Sequence, residues 1–578
     1  MPDPRAASQP EPVTLGLQPL TVEQVVAVAR RGAFVEPLPT TLDGAGDYAP
    51  TLRCMQASAD WVADAVDRIA TGDGPPPAIY GINTGFGALA GKAAFTDPAD
   101  ALQLSRNVVL SHAAGTGDFL DEEIVRATML IRANSLVQGY SGVRVELVNT
   151  LIAMLNAGVY PAIPEQGSLG ASGDLAPLAH LALLVSRPPD PSEPDDPAHS
   201  GQAFLNGKLV SGLEAMQAAG IERLVLGPKE ALAFINGATF SAAIAVLALH
   251  DAEQLVETSE VSLAMSVDAM RGYRDAFLPH VHAVRGMPGQ QTTAARVYAL
   301  LRESTLARGD VDRDLSIEDT PPQDPYSLRC APQVIGAVRD TLAHVRDVLT
   351  TEINAVTDNP IIFAGPGDSL SLARGLKAVS GGNFHGQPIA FAADFLTIAI
   401  TSMANIAERR VYLLTDPAQN RGLPAFLSHR SHDADGIESG LMIAQYTAAG
   451  LVSENKTLAH PDSVDSITSS ANQEDYVSMS MNAARHARRA VRNAEGVVAI
   501  ELFTAAQALH LREHHLNHGH PGVGVVAARA VVRTRAPVVV QDEPLHPYIE
   551  ALRDLIRSGE IVKAAAEAAG EAAHASSD

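Results

Sequence analysis

"AFAADFLTIAITSMANI", residues 390–406, is apolar nearly all round the helix that its spacing predicts. A helix without a clear polar face must be surrounded, so this one belongs at the centre of a bundle or in an interface between subunits. Outward from it, the helical period persists. Val338, Leu342, Val345, Leu349 and Ile353 fall on one face and stop short of Asn359-Pro360. Leu147, Leu151, Met154 and Leu155 form another such face, closed by Gly158. Strand signals are few and short, Val538 to Val540 among them, and no repeat of fixed period is present. The fold class read from these patterns is mainly α, built on long buried helices.

Composition sets the outer bounds. A chain of 578 residues with 46% hydrophobic content buries large cores and suggests about two to four domains. The division expected is a loose Pro-rich tail over 1–20, an N-terminal region over 21–235, and helices over 236–570. Lys and Arg total 42 against 66 Asp and Glu, a formal charge of -24. That balance disfavours nucleic acid or an anionic membrane surface as partner. Two cysteines, Cys54 and Cys330, provide no disulfide framework. The opening "MPDPRAASQPEPVTLG" lacks a basic stretch followed by an apolar run, and no uninterrupted apolar run of about 18 residues occurs. The expectation is a soluble cytoplasmic protein. "RPPDPSEPDDPAHSG" (187–201) and "GPGDSLSLARGLKAVSGG" (365–382) read as surface loops.

Five short stretches carry chemistry. "AIYGINTGFGALAG" sets Tyr80 ahead of Gly81, Gly85 and Gly87, a loop whose backbone can approach a ligand closely, although such a Tyr also serves as a plain turn anchor. "QGSLGASGDLAPLAHLALL" (166–184) places Ala171-Ser172-Gly173 between a glycine-rich turn and a helix start, with Asp174 behind. Read plainly, that is a helix cap. "QDPYSLRCAPQV" offers Gln323, Tyr326 and Arg329, the last a two-pronged partner for a carboxylate or simply half of an ion pair. "SGGNFHGQP" holds Asn383, Phe384 and His385, and "SSANQEDYVSM" holds Glu474 in a polar knot that would also cap a helix. His510, His514 and His518 recur at metal-ligand spacing, with His515 and His520 nearby, but the Glu directly after the first His of a zincin is missing, and no metal is expected.

In this order, "YGINTGFG", "GSLGASGDLAPLAH", "QDPYSLRCAPQV", "SGGNFHGQP" and "SANQEDYVSM" resemble the aromatic amino acid ammonia-lyase family, from about Val22 to the end. The resemblance implies a long-helix bundle of the fumarase/aspartase-like superfamily, with a smaller N-terminal region carrying a modified loop, and a homotetramer whose sites draw on more than one subunit. It implies that Ala171-Ser172-Gly173 cyclises to 4-methylideneimidazole-5-one (MIO) with no external cofactor. The Gly173 nitrogen attacks the Ala171 carbonyl, Ser172 loses water to leave a methylene, and Asp174 assists proton transfer. It further implies that Phe384 presses the loop into its bend and that Asn236 bonds the ring oxygen. Tyr80 takes the β-proton, provided its surroundings lower a phenol pKa of about 10. Arg329 holds the substrate carboxylate, beside Tyr326 and Gln323.

The side-chain pocket selects the amino acid. Ser111-His112 is similar to the pair of histidine lyases and some aminomutases, Met442 and Glu474 are similar to the histidine-lyase branch, and an imidazole with two nitrogens suits one imidazole partner and one carboxylate. A phenyl ring would leave that carboxylate buried and unpaired. Ala238 after Asn236-Gly237 and Tyr476 after "NQED" depart from that branch, and Gly386-Gln387 is more like its aminomutase and tyrosine-lyase relatives. The expected reaction is deamination of L-histidine to trans-urocanate and ammonia. The alternatives are a phenylalanine or tyrosine lyase, a 2,3-aminomutase, or a non-catalytic helical scaffold.

Overall fold

The computed structural model describes residues 10–71, 78–85, 87–92, 98–309, 322–368, 377–429, 437–514, 516 and 518–570. It is mainly helical, and the apolar stretch at 390–406 lies within one uninterrupted helix, Gln387–Thr415. The chain divides into two compact units: Met1–Leu247 with Arg346–Ala393 and Pro461–Arg485, and Ala248–Val345 with Asp394–His460 and His486–Asp578.

In the first unit, the helices Glu122–Val137, Val145–Ala157 and Leu175–Val185 are buried along most of their length. Gly158 closes the second of these with a left-handed φ of 69°, as its place after the apolar face requires. Small antiparallel pairs fill the gaps. Thr116–Phe119 pairs with Pro164–Gln166, Tyr160–Pro161 with Gln202–Leu205, and Ile361–Ile362 with Ala378–Val379. Loop 187–201 is largely exposed and leads into the hairpin Gln202–Leu205/Lys208–Ser211. Residues 10–20, expected as part of a loose tail, pack: Val13 and Leu15 are buried and the Val13 N–H donates to Phe34 O at 2.8 Å. Their alternation is hidden in the sequence by the surrounding Pro and Glu.

The second unit centres on long helices that share buried charge. Arg410 pairs with Glu501 at 2.5 Å with both side chains fully buried, and Ser262 and Ser266 donate to the same carboxylate at 2.8 and 2.7 Å. Such a pair is tolerable only because its remaining lone pairs are used. The Gln387–Thr415 helix, long and apolar enough by composition to cross a membrane, has 67% of its apolar window buried. The Ala331–Glu352 helix follows the expected period, with Val338, Leu342, Val345 and Leu349 all buried. Val538–Val540 is not a strand. Its backbone pairs with a side chain instead, Val539 donating to Gln507 Oε1 at 3.2 Å and accepting from Gln507 Nε2 at 2.8 Å.

Candidate active site

The bend at Ser172–Asp174 is forced by a neighbouring backbone. Gly173 has a φ of +77°, and a Cβ added there would lie 2.0 Å from the Gly237 carbonyl carbon, so only glycine fits. Gly237 N donates to Ser172 O at 3.1 Å, and Asp174 N donates to Gly237 O at 2.9 Å. On the far side of the loop, Leu169 O accepts from Met479 N at 2.9 Å, while Gly170 O accepts from Gly386 N at 3.2 Å and Ser478 Oγ at 3.0 Å. Ala171 packs with Val477, Met479 and Leu169. The tripeptide is thus clamped from both ends.

Asp174 opens the Leu175–Val185 helix and is fully buried. It accepts from Ser168 Oγ at 2.7 Å, Ser241 Oγ at 2.9 Å and Ser241 N at 2.8 Å. Burial nevertheless outweighs these bonds and raises its pKa. Neither serine was singled out in the sequence; Ser168 lies inside the quoted loop, but Ser241 is brought in only by the Thr239–Ala269 helix.

Ser172 faces a cavity of about 570 Å³ whose lining includes Tyr80, Asn107, His112, Asn236 and Glu474. Its hydroxyl donates to Glu474 Oε1 at 3.2 Å, and Ser469 Oγ donates to Glu474 Oε2 at 3.0 Å. The turn before Glu474 is left-handed at three consecutive residues, Ser470, Ala471 and Asn472 (φ 48°, 50° and 71°), and Ser470 Oγ accepts from Ala88 N at 3.3 Å. That bond ties the Glu474 turn to the loop that follows Tyr80. Non-glycine residues held there are strained, and the surroundings must impose the shape.

The groups facing one another are electrostatically linked. Burial pushes the His112 pKa below its usual value, although the Val108 backbone and Glu474 pull it upward. The ring is therefore neutral at pH 7, with Ser111 Oγ 3.0 Å from its Nδ1. Tyr80 corrects an expectation. Burial raises its pKa and Glu474 raises it further, against a lowering bond from the Gly87 backbone. The surroundings within this chain move the phenol away from the value a base needs.

Asn236 is held on several sides. Its Nδ2 donates to Asp358 Oδ1 at 2.9 Å and to Asn359 O at 3.1 Å, and its backbone O accepts from Arg132 Nη1. Asp358 in turn pairs with Lys229 at 2.5 Å, both side chains fully buried. Burial lowers Lys229, while Lys229, Arg132 and Asn236 together hold the Asp358 carboxyl below its usual range despite burial. No sequence pattern announces this pair.

Phe384 is half-buried in the segment whose Gly386 N reaches Gly170 O. Gln323, Tyr326, Arg329 and Met442 belong to the second unit and do not line this cavity. Tyr326 is 69% exposed, with the Arg329 guanidinium stacked 4.5 Å from its ring centroid and Arg329 Nε donating to Asp324 O at 3.0 Å. Gln323 is exposed, and Met442 opens the Met442–Leu458 helix. The rings of His510 and His514 lie 4.7 Å apart, and among the described residues no group of three or more His, Cys, Asp or Glu is arranged to hold a metal.

A mainly helical chain that bends Ala-Ser-Gly against a second backbone, and opens it to a phenol, an imidazole and a carboxylate, is built as aromatic amino acid lyases are. The profile of that family, described as aromatic amino acid lyase, matches residues 20–534, and the chain belongs to it. Among particular proteins, it is 44% identical over 560 residues to a histidine ammonia-lyase of Symbiobacterium thermophilum, covering 97% of this chain and 99% of that one. It is similar in structure to histidine ammonia-lyase from Trypanosoma cruzi (TM-score 0.80, 35% identity, 96% of this chain and 95% of that one). It is also similar to tyrosine aminomutase from Streptomyces globisporus (TM-score 0.83, 33% identity, 96% and 99%).

Proposed function

We propose that the protein deaminates L-histidine to trans-urocanate and ammonia. The observation that carries this reading is the pairing of a neutral imidazole, His112, with the Glu474 carboxylate on one cavity that also receives Ser172 and Tyr80. Relatives that are 42–46% identical over most of the chain and carry the name histidine ammonia-lyase support the same substrate.

The residues fit self-formation of MIO. Gly173 holds a bend that no residue with a Cβ could take, the Ser172 hydroxyl is presented to the cavity, and the buried Asp174 with its raised pKa can shuttle the protons of two dehydrations. Once formed, the group supplies an electrophile that makes ammonia a better leaving group. The chain's own side chains do the rest. Tyr80 Oη takes the β-proton, while His112 and Glu474 hold the substrate ring nitrogens. Phe384 keeps the loop bent. Arg329, flanked by Tyr326 and Gln323, binds the substrate carboxylate, and Met442 borders the ring. These last four come from another copy of the chain in a cytoplasmic homotetramer. The exposure of Phe391, Phe395, Ile398 and Tyr412 along the mostly apolar Gln387–Thr415 helix supports such an assembly.

The test is ultraviolet absorbance of the purified enzyme with L-histidine, L-tyrosine and L-phenylalanine in turn. A urocanate band with histidine alone is expected; cinnamate or coumarate would overturn the substrate. A 2,3-aminomutase is the second reading, favoured by Gly386-Gln387 and by the likeness to the aminomutase structure. A β-amino acid among the products would establish it.

The role of Tyr80 predicts a pH profile. kcat/KM rises with pH as the phenol ionises, and burial, with the carboxylate of Glu474 adding to it, holds that acid limb at high pH. Glu474→Gln removes a negative charge beside a group that becomes negative, so the limb moves to lower pH. The plateau falls about 10–100-fold because a charge-assisted bond to the substrate ring is lost. A limb that stays in place, or moves up, would separate Tyr80 from proton abstraction.

A further inference from the structure

The Tyr80 loop meets the turn that carries Glu474 at two consecutive residues, Gly87 and Ala88. Against the burial that raises the Tyr80 pKa, the Gly87 backbone pulls it down, so the group bonding the phenol is the Gly87 N–H, which favours the phenolate. The next N–H, of Ala88, donates to Ser470 Oγ at 3.3 Å. Gly87 has a φ of +53°, and a Cβ there would stand 2.3 Å from that same hydroxyl oxygen. The serine hydroxyl therefore occupies the space a side chain at 87 would need. Ser470 is in turn fixed to Glu474. Ser469 N donates to Glu474 O at 2.9 Å, Glu474 N to Ser469 O at 3.3 Å, and Gln473 N to Ser470 O at 3.1 Å. Within that closed turn Ser470 is held at a φ of 48°, which glycine adopts without cost and serine does not. What serine adds over glycine there is the hydroxyl that meets Ala88.

We propose that Ser470 is a positioning residue for the Tyr80 base: its hydroxyl anchors the Ala88 amide, and so keeps the adjoining Gly87 amide on the phenol oxygen at a fixed place relative to Glu474. The inference rests on Tyr80 being the group that takes the β-proton, and not on which amino acid is the substrate. The other titratable side chains lining the cavity are His112 and Glu474. His112 is already neutral at pH 7, and a carboxylate is ionised throughout the alkaline range, so neither changes charge where the phenol does. Lys229 passes behind Gly81, but its ammonium sits on Asp358 Oδ2 at 2.5 Å. Removing the Ser470 hydroxyl frees the Gly87–Ala88 peptide and weakens the bond that favours the phenolate. The acid limb of kcat/KM then moves to higher pH, the opposite direction to Glu474→Gln.

Ser470→Gly and Ser470→Ala test this together. Glycine relieves the left-handed φ, which offsets the freedom it adds to the unfolded chain, so its melting temperature is expected to stay at the wild-type value. Alanine keeps the backbone preference and loses only the hydroxyl. Both are measured as full pH profiles of kcat and KM, alone and in the Glu474→Gln background, where the limb lies lower and its plateau is within reach. Intact mass confirms that the Ala-Ser-Gly loop has matured equally in each. Expected in both variants is a limb about one pH unit higher, hence kcat/KM about 10-fold lower on the limb, with the plateau kept within about 3-fold and KM within about 2-fold. A limb that stays in place, whatever happens to the plateau, would reduce Ser470 to packing and overturn the proposal. So would a limb that moves down, or a raised KM with kcat retained, which would tie the serine to substrate binding instead. If tyrosine or phenylalanine is the substrate turned over, the profiles are read with it; the histidine assignment then fails while the test of Ser470 stands. A wild-type profile with no rising limb, or no turnover of any of the three, would remove Tyr80 as the base and the proposal with it.

Discussion

Ser172→Ala is expected to lower kcat/KM by at least about 10³-fold while leaving the protein folded, the scale seen when the group that enables covalent catalysis is removed. The side chain is half-buried and its one hydroxyl bond, to Glu474 Oε1 at 3.2 Å, leaves an acceptor that Ser469 still serves at 3.0 Å through the other oxygen. The stability cost is accordingly small, about 1 kcal/mol. Chemically the change is severe, because alanine has no hydroxyl to lose as water and cannot give a methylene. Intact mass reads this without any assay: the wild-type chain is lighter than its sequence by about 36 Da, two waters, and the variant is not lighter by that amount. A variant that retains activity within tenfold of wild type would remove Ser172 from the chemistry and the tripeptide with it.

Much of this was legible in the sequence, for identifiable reasons. The 3.6-residue period exposed the buried faces of Val145–Ala157 and Ala331–Glu352, because burial on one side of a helix leaves a pattern that local order preserves. The residues facing the cavity were legible one by one because each sits in a short stretch of unusual composition. Their convergence was not, since Tyr80, His112, Ser172, Asn236 and Glu474 come from five separate stretches and only the fold brings them together. Buried charge was invisible. Lys229 and Asp358 are 129 residues apart, and Arg410 and Glu501 are 91 apart, with no periodicity linking them. The direction of the Tyr80 shift was missed for the same reason: it depends on burial and on a distant carboxylate, neither of which its glycine-rich neighbourhood reveals. At Val538–Val540 β-branched residues suggested a strand, but strand propensity describes a half-buried surface, and here the partner was the side chain of Gln507.

Gly173→Ala separates the geometry of the loop from the identity of the reacting hydroxyl. Ser172 stays in place, so a requirement for the hydroxyl alone would be satisfied. The added Cβ, however, would lie 2.0 Å from Gly237 C, 2.3 Å from Gly237 O and 2.5 Å from Ala238 N, all backbone atoms that cannot rotate away. Gly237 cannot yield easily, because its own φ is +97° and a shift would press on Thr357, whose Oγ1 lies 2.4 Å from where a Gly237 Cβ would stand. The left-handed φ of +77° at Gly173 adds roughly 1–2 kcal/mol for any residue with a Cβ. The loop must therefore move off Gly237, giving up the bonds from Gly237 N to Ser172 O and from Asp174 N to Gly237 O. With them goes the sharp bend on which the proposed attack of the residue 173 nitrogen on the Ala171 carbonyl depends. The expected variant is helical by circular dichroism, melts several degrees lower, keeps the full unmodified mass, and loses at least about 10³-fold in kcat/KM. Loss of about 36 Da in Gly173→Ala would mean that the close approach to Gly237 packs the loop without shaping the reaction that matures it.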